Sequence, residues 1–142
     1  DLSKIQIIEF SILFIILNYL DLGLEKLEDL SNLKFVSEKN ENLKNIIINS
    51  ISEGGNEELV VSRINSEYQN IITEINENSN IRMIIKNKSD QEISDFLNEL
   101  IQDHKDQSSL KKIESLEKEL MNNLDENSYS ELLRLKSQLN RD

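Results

Sequence analysis

The residues with the greatest potential for metal chemistry surround the single histidine of this chain. His104 is flanked by Asp103 and followed by Asp106, and cysteine is absent. A metal site built here would need further ligands converging from other helices, and no spacing in the sequence indicates them. We therefore expect neither a metal nor another cofactor, and we interpret His104 as a solvent-exposed helix residue.

The glycine pair Gly54–Gly55 and the acidic pairs are the next candidates for chemistry. The glycines lack the G-x-G-x-x-G or G-K-S/T context of a phosphate loop, so we interpret them as the end of a helix. Glu57–Glu58 and Asp125–Glu126 lie at helix starts or in loops, where carboxylates complement the helix dipole. With no activated nucleophile and no metal set, we expect this domain not to be an enzyme.

Composition and charge narrow the class of protein further. The chain has 142 residues, 37% hydrophobic and 30% charged, with three glycines and no proline or cysteine. This profile favours an all-α fold, and the lack of cysteine fits a reducing, cytoplasmic compartment. A formal net charge of −11 argues against direct nucleic-acid binding, which depends on clustered lysine and arginine. The apolar run at residues 5–17 is too short to span a membrane, so it predicts a buried central helix.

Helical spacing of apolar residues predicts a bundle of short helices over residues 1–101. The polar residues Ser3, Ser37 and Asn56 are placed to cap helices. The predicted helices run from Ser3 to about Asn18, over residues 21–31, from Ser37 to near Ser52, after Asn56, around Tyr68 to Ile75, and briefly over 81–85.

The last third of the chain predicts a long helix followed by a return helix. Ser89 with Glu92, and Ser128 with Glu131, have the spacing of capping boxes that open the two helices. Residues 102–109 are wholly polar and separate two apolar stripes. We therefore predict a polar connecting segment at 102–109 and a C-terminal helical hairpin at 110–142.

The hairpin sequence predicts both a core and an open apolar side. The predicted core residues recur at helical spacing and can pack in an antiparallel, knobs-into-holes manner. They are Ile113, Leu116, Leu120 and Leu124 in the long helix, and Leu132, Leu135 and Leu139 in the return helix. Tyr129, Leu133 and Lys136 then form an adjoining stripe, with Met121 nearby, which we predict binds a protein partner. The alternative is that the hairpin folds back onto the bundle.

The layout resembles the C-terminal helicase-binding domain of bacterial replicative primases of the DnaG type. The resemblance covers most of the chain. It rests on the opening apolar helix at residues 12–18, the acidic helix and aromatic plug at 27–35, the helix end at 53–55, and the closing helix at 128–140. It implies a hairpin that docks on the N-terminal domains of the hexameric, DnaB-type replicative helicase, with primer synthesis in upstream domains. Some members also bind the acidic tail of single-stranded-DNA-binding protein through basic bundle residues, but the first helix here has Lys4 alone and carries Glu9.

Two other functions fit parts of the pattern. The N-terminal domain of the replicative helicase is similar to the bundle, although a chain ending just after the return helix favours primase. A self-associating scaffold would instead use residues 89–124 as a coiled coil, which the polar interval at 102–109 interrupts. Because the chain begins at Asp1 without methionine, we expect it to be a domain of a longer protein.

Overall fold

The structure, a computed structural model, describes residues 2–64, 66–78, 80–122 and 125–140. These residues form α-helices and no strand, which confirms the all-α prediction. None of the described helices is both long enough and apolar enough to cross a membrane. In chain order they are α1 (Lys4–Asn18), α2 (Leu20–Glu25), α3 (Leu27–Asn32), α4 (Glu38–Ser52), α5 (Glu57–Arg63), α6 (Ser66–Asn78), α7 (Ile81–Ile85), α8 (Asp90–Asn122) and α9 (Glu126–Leu139).

The chain divides into two compact units, Asp1–Gln102 and Asp103–Asp142. The division falls inside α8, at the start of the predicted polar segment. The first unit holds the larger apolar core, to which α1 to α7 and the first turns of α8 contribute. The second unit has a small core of its own, formed by α8 and α9.

Helix α1 is the central helix of the first unit, as its sequence predicts. Ser3 opens it with a capping box, in which the Ser3 hydroxyl accepts from the Gln6 N–H and the Gln6 side chain accepts from the Ser3 N–H. Ten of its residues are buried, because an almost uniformly apolar helix gains most when other helices cover it on every side.

The predicted helix over residues 21–31 is in fact two helices, α2 and α3, separated at Lys26. A continuous helix would place Leu24, Leu27 and Leu30 on one side, but Leu24 is exposed. With the break at Lys26, Leu22 and Leu30 both lie in the core, where each is at least 96% buried. Tertiary packing therefore outweighs the local helix pattern here.

The glycine pair ends α4 as predicted. Gly54 adopts the left-handed backbone conformation, with φ of 79°, and the Gly55 N–H donates to the Ser50 carbonyl at 2.9 Å. A Cβ on Gly55 would lie 2.6 Å from that same carbonyl oxygen, so the close approach requires glycine. Asn56 then caps α5 by accepting from the Leu59 N–H.

Two buried ionisable side chains tie α4 to its neighbours. The Glu9 carboxylate of α1 accepts from the Val36 N–H at 2.6 Å and from the Asn40 side-chain amide at 3.0 Å. The Lys44 ammonium of α4 donates to the Leu30 carbonyl at 2.8 Å. Buried charges are tolerated only when hydrogen bonds or opposite charges compensate them, so these contacts fix how α4 docks.

Candidate functional site

The candidate site lies on the hairpin formed by α9 and the second half of α8.

Helix α8 begins with the predicted capping box. The Ser89 N–H donates to Glu92 Oε1 at 3.1 Å, and the Glu92 N–H donates to the Ser89 hydroxyl at 3.2 Å. The backbone hydrogen bond from Ser89 lowers the pKa of the Glu92 carboxyl. Thus the start of α8 matches the sequence prediction.

The predicted capping box at Ser128 is wrong, because Asp125 caps α9 instead. The Asp125 carboxylate accepts from the Asn127 N–H at 3.0 Å. Ser128 lies inside the first turn, with its hydroxyl 3.4 Å from the other Asp125 oxygen. Asp is as good a cap as Ser, and beginning the helix at Glu126 adds backbone hydrogen bonds within its first turn. Glu131 takes no part in the cap and forms an ion pair with Arg134.

The predicted core residues of the hairpin come together in one cluster. Ile113, Leu132 and Leu135 are buried, and Leu116, Leu120 and Leu139 are partly buried against them. Leu124, the seventh predicted core residue, lies outside the described residues. Ile113, which the self-associating scaffold would include in its coiled coil, is therefore buried within its own chain.

An ion pair shows which sides of the two helices meet at the edge of this core. The Lys136 Nζ lies 3.1 Å from Glu117 Oε1, and both side chains are about half exposed. Met121 follows Glu117 by one helical turn, so the two share one side of α8. Leu133 and Tyr129 precede Lys136 by one and two turns, so they share one side of α9. The four predicted partner-binding residues therefore lie along one side of the hairpin.

We call this side the docking face and define it by Met121, Tyr129, Leu133 and the Glu117–Lys136 pair. Met121 is 87% exposed, and Tyr129 and Leu133 are each 51% exposed. Leu110, which is 43% exposed, extends the same side of α8 two turns before Glu117 and was missed by the sequence prediction. Its spacing from Glu117 and Met121 was the available signal, but the core stripe starting at Ile113 masked it.

The opposite side of the hairpin carries an open groove with charged side chains of both signs. The groove has a volume of about 410 Å³, and its lining includes Lys111, Lys112, Glu119 and Glu131 together with the core residues Leu116 and Leu135. The hydrogen bond from Arg134 lowers the pKa of the Glu131 carboxyl, and the same bond raises the pKa of Arg134. This groove lacks the exposed apolar side chains of the docking face.

His104 is fully buried, so the prediction of a solvent-exposed histidine is wrong. It follows Leu97 by two helical turns and Leu100 by one, and therefore continues the buried stripe of α8. An imidazole ring has enough apolar surface to occupy such a position. In the described part of the chain, no three histidine, cysteine, aspartate or glutamate side chains are gathered as a metal site would require.

The composition of the docking face is typical of surfaces that bind proteins. Large apolar and aromatic side chains at the centre, with a charged pair beside them, are the composition of protein–protein contact sites. No protein-family model, no curated protein and no solved structure matches this chain at a significant level.

Proposed function

We propose that this chain is the helicase-binding domain of a DnaG-type primase, whose hairpin docks on the N-terminal domains of the hexameric replicative helicase. The observation that carries the proposal is the docking face, where Met121, Tyr129 and Leu133 are at least half exposed on one side of the hairpin. The resemblance of the sequence layout to that family supplies the identity of the partner.

The energetics of such a contact would rest on the three apolar side chains. Tyrosine is enriched among the residues that dominate interface energies, and methionine adapts to irregular partner surfaces. The Glu117–Lys136 pair lies at their edge, where exposed ion pairs add little affinity but help to orient the partner. Docking by this face would hold the upstream primer-synthesis domains beside the strand that the helicase unwinds.

The net charge limits the proposal to a protein partner. At −11 the domain as a whole repels acidic partners such as a nucleic-acid backbone or an acidic peptide tail. We therefore extend the proposal neither to direct DNA binding nor to the tail of single-stranded-DNA-binding protein.

Titration calorimetry of the chain into a replicative helicase hexamer tests the proposal. Leu133→Asp and Tyr129→Ala should each weaken binding by roughly tenfold or more, as expected for interface anchors. Leu24→Asp is the matched control, because Leu24 on α2 is 53% exposed and lies in the other unit. Wild-type affinity in both hairpin variants, with circular dichroism unchanged, would rule out docking by this face.

A parallel titration of the chain into the C-terminal domain of a primase separates the primase assignment from the alternative that the chain is the N-terminal domain of the helicase. If the chain were the N-terminal domain of the helicase, it should bind the C-terminal domain of a primase instead of the helicase hexamer. Binding to the primase domain alone would therefore replace the proposal with that alternative.

A further inference from the structure

Helix α7 presents a basic and apolar surface on an otherwise acidic chain. Residues 81–88 carry Arg82, Lys86 and Lys88 and no acidic residue, whereas the whole chain has a net charge of −11. Ile81 and Ile85 are buried and anchor the helix, while Met83 is 80% and Ile84 48% exposed. We call Arg82, Met83, Ile84, Lys86 and Lys88 the α7 patch.

A hollow of opposite character lies elsewhere in the same unit, between α5, α6 and the C-terminal end of α1. It has a volume of about 270 Å³, and its walls include Val61, Ile72 and the amide side chains of Gln69 and Asn76. Glu57 is the charged residue of its lining, and Glu58 adjoins it beside Val61. Val61 is 59% exposed at its mouth. We call this hollow, with Glu58, the α5–α6 groove.

The charged side chains of both surfaces have only weak partners within the chain: Glu57 and Glu58 lie in the first turn of α5, where the helix dipole favours carboxylates, and Lys88 acts electrostatically on the Glu92 carboxyl. In the described part of the molecule, neither Glu57 and Glu58 nor Lys86 and Lys88 form an ion pair. The one cation of the patch with a close ring contact is Arg82, whose guanidinium carbon lies 5.7 Å from the centre of the Phe14 ring. Two surfaces of opposite local charge, each with an apolar centre, are complementary.

We propose that the α7 patch of one copy of this chain docks in the α5–α6 groove of a second copy, with Met83 in the hollow. The volume of the hollow is just below the range of most small-molecule sites, and it is large enough to admit a methionine side chain. Lys86 and Lys88 then lie near Glu57 and Glu58 of the other copy. This contact is independent of the docking face on the hairpin, and it does not rest on the helicase proposal.

The two surfaces differ, so the contact is heterologous and leaves one groove and one patch open at the ends of each pair. A small contact area gives weak association, and the repulsion between two chains that each carry a net charge of −11 weakens it further. The weight-average mass of the protein should therefore rise steadily with concentration.

Sedimentation equilibrium of the intact chain over a range of concentrations tests this proposal. The wild type should self-associate, and Met83→Glu should raise the dissociation constant by roughly tenfold or more, because it places a carboxylate in an acidic hollow. Val36→Asp and Lys39→Glu are exposed controls for the apolar and the charge change, and both should associate as the wild type does.

Complementary charge reversal makes the test specific to these surfaces. The double variants Glu57→Lys/Glu58→Lys and Lys86→Glu/Lys88→Glu should each stay monomeric alone, but an equimolar mixture should associate again. Circular dichroism checks that each variant is folded. A wild type that is monomeric at every concentration overturns the proposal, and so does self-association that neither reversal weakens.

Discussion

Lys136 of α9 and Glu117 of α8 form an ion pair, with 3.1 Å between Nζ and Oε1, across the antiparallel helices of the hairpin. The pair lies beside the buried side chains of Ile113, Leu132 and Leu135. It therefore shows both the register of α9 against α8 and the side of the hairpin on which Leu133 and Tyr129 emerge. A shift of one residue would turn these two side chains by about 100° around α9.

Charge reversal tests this register. Glu117→Lys or Lys136→Glu alone places like charges together and should lower the local unfolding free energy of the hairpin by about 0.5–1 kcal/mol. The double reversal recreates the pair and should recover most of the loss. Native-state hydrogen exchange of the α9 amides measures these changes. If the two single effects simply add in the double variant, the two residues are not in contact.

The cap of α9 gives a second prediction, in which two neighbouring residues have opposite outcomes. Asp125→Ala removes the acceptor for the Asn127 N–H and should destabilise the hairpin by about 1 kcal/mol. Ser128→Ala should be neutral or slightly stabilising, because Ser128 is inside the helix and alanine is the better helix former.

Hydrogen exchange of the first-turn amides of α9 distinguishes the two variants. Faster exchange in Asp125→Ala, with Ser128→Ala unchanged, is the expected pattern. The reverse pattern would mean that Ser128 is the cap, as its spacing from Glu131 first indicated.

Much of the fold follows from local signals in the sequence. The caps at Ser3, Ser37, Asn56 and Ser89 lie where the structure has them, because a single good cap precedes each apolar run. The helical spacing of apolar residues also predicted six residues of the hairpin cluster, and the seventh, Leu124, lies outside the described residues. These features depend on a few neighbouring residues, which is why sequence alone reveals them.

Three features of the fold, the cap of α9, the break at Lys26 and the burial of His104, could not be predicted from local sequence patterns. Asp125 and Ser128 are both suitable N-cap residues. The structure uses Asp125, which gives the longer helix. The break at Lys26 depends on the separate burial of Leu22 and Leu30. His104 is a polar residue at a buried position of a helical stripe, and residue type misled the prediction where position was the better guide.

The same difficulty applies to Lys44, a residue that the sequence alone gives no reason to place in a core. Its side chain is fully buried in α4. The ammonium donates to the Leu30 and Leu33 carbonyls and lies 2.9 Å from Glu41 Oε1. These carbonyls belong to the C-terminal end of α3, where helix carbonyls lack partners within the helix and a cation is favoured.

Lys44→Met should therefore be strongly destabilising even though it keeps the length of the side chain. It leaves the Leu30 and Leu33 carbonyls without their donor, and it removes the cation beside the Glu41 carboxylate, which still accepts from the Phe35 N–H. Losing the buried partner of such a contact costs about 3 kcal/mol. Lys39→Met on the exposed side of the same helix is the matched control and should change stability by less than about 0.5 kcal/mol. Urea denaturation followed by circular dichroism measures both. Equal midpoints for the two variants would mean that Lys44 does not hold α3 against α4, and that apolar packing alone joins these helices.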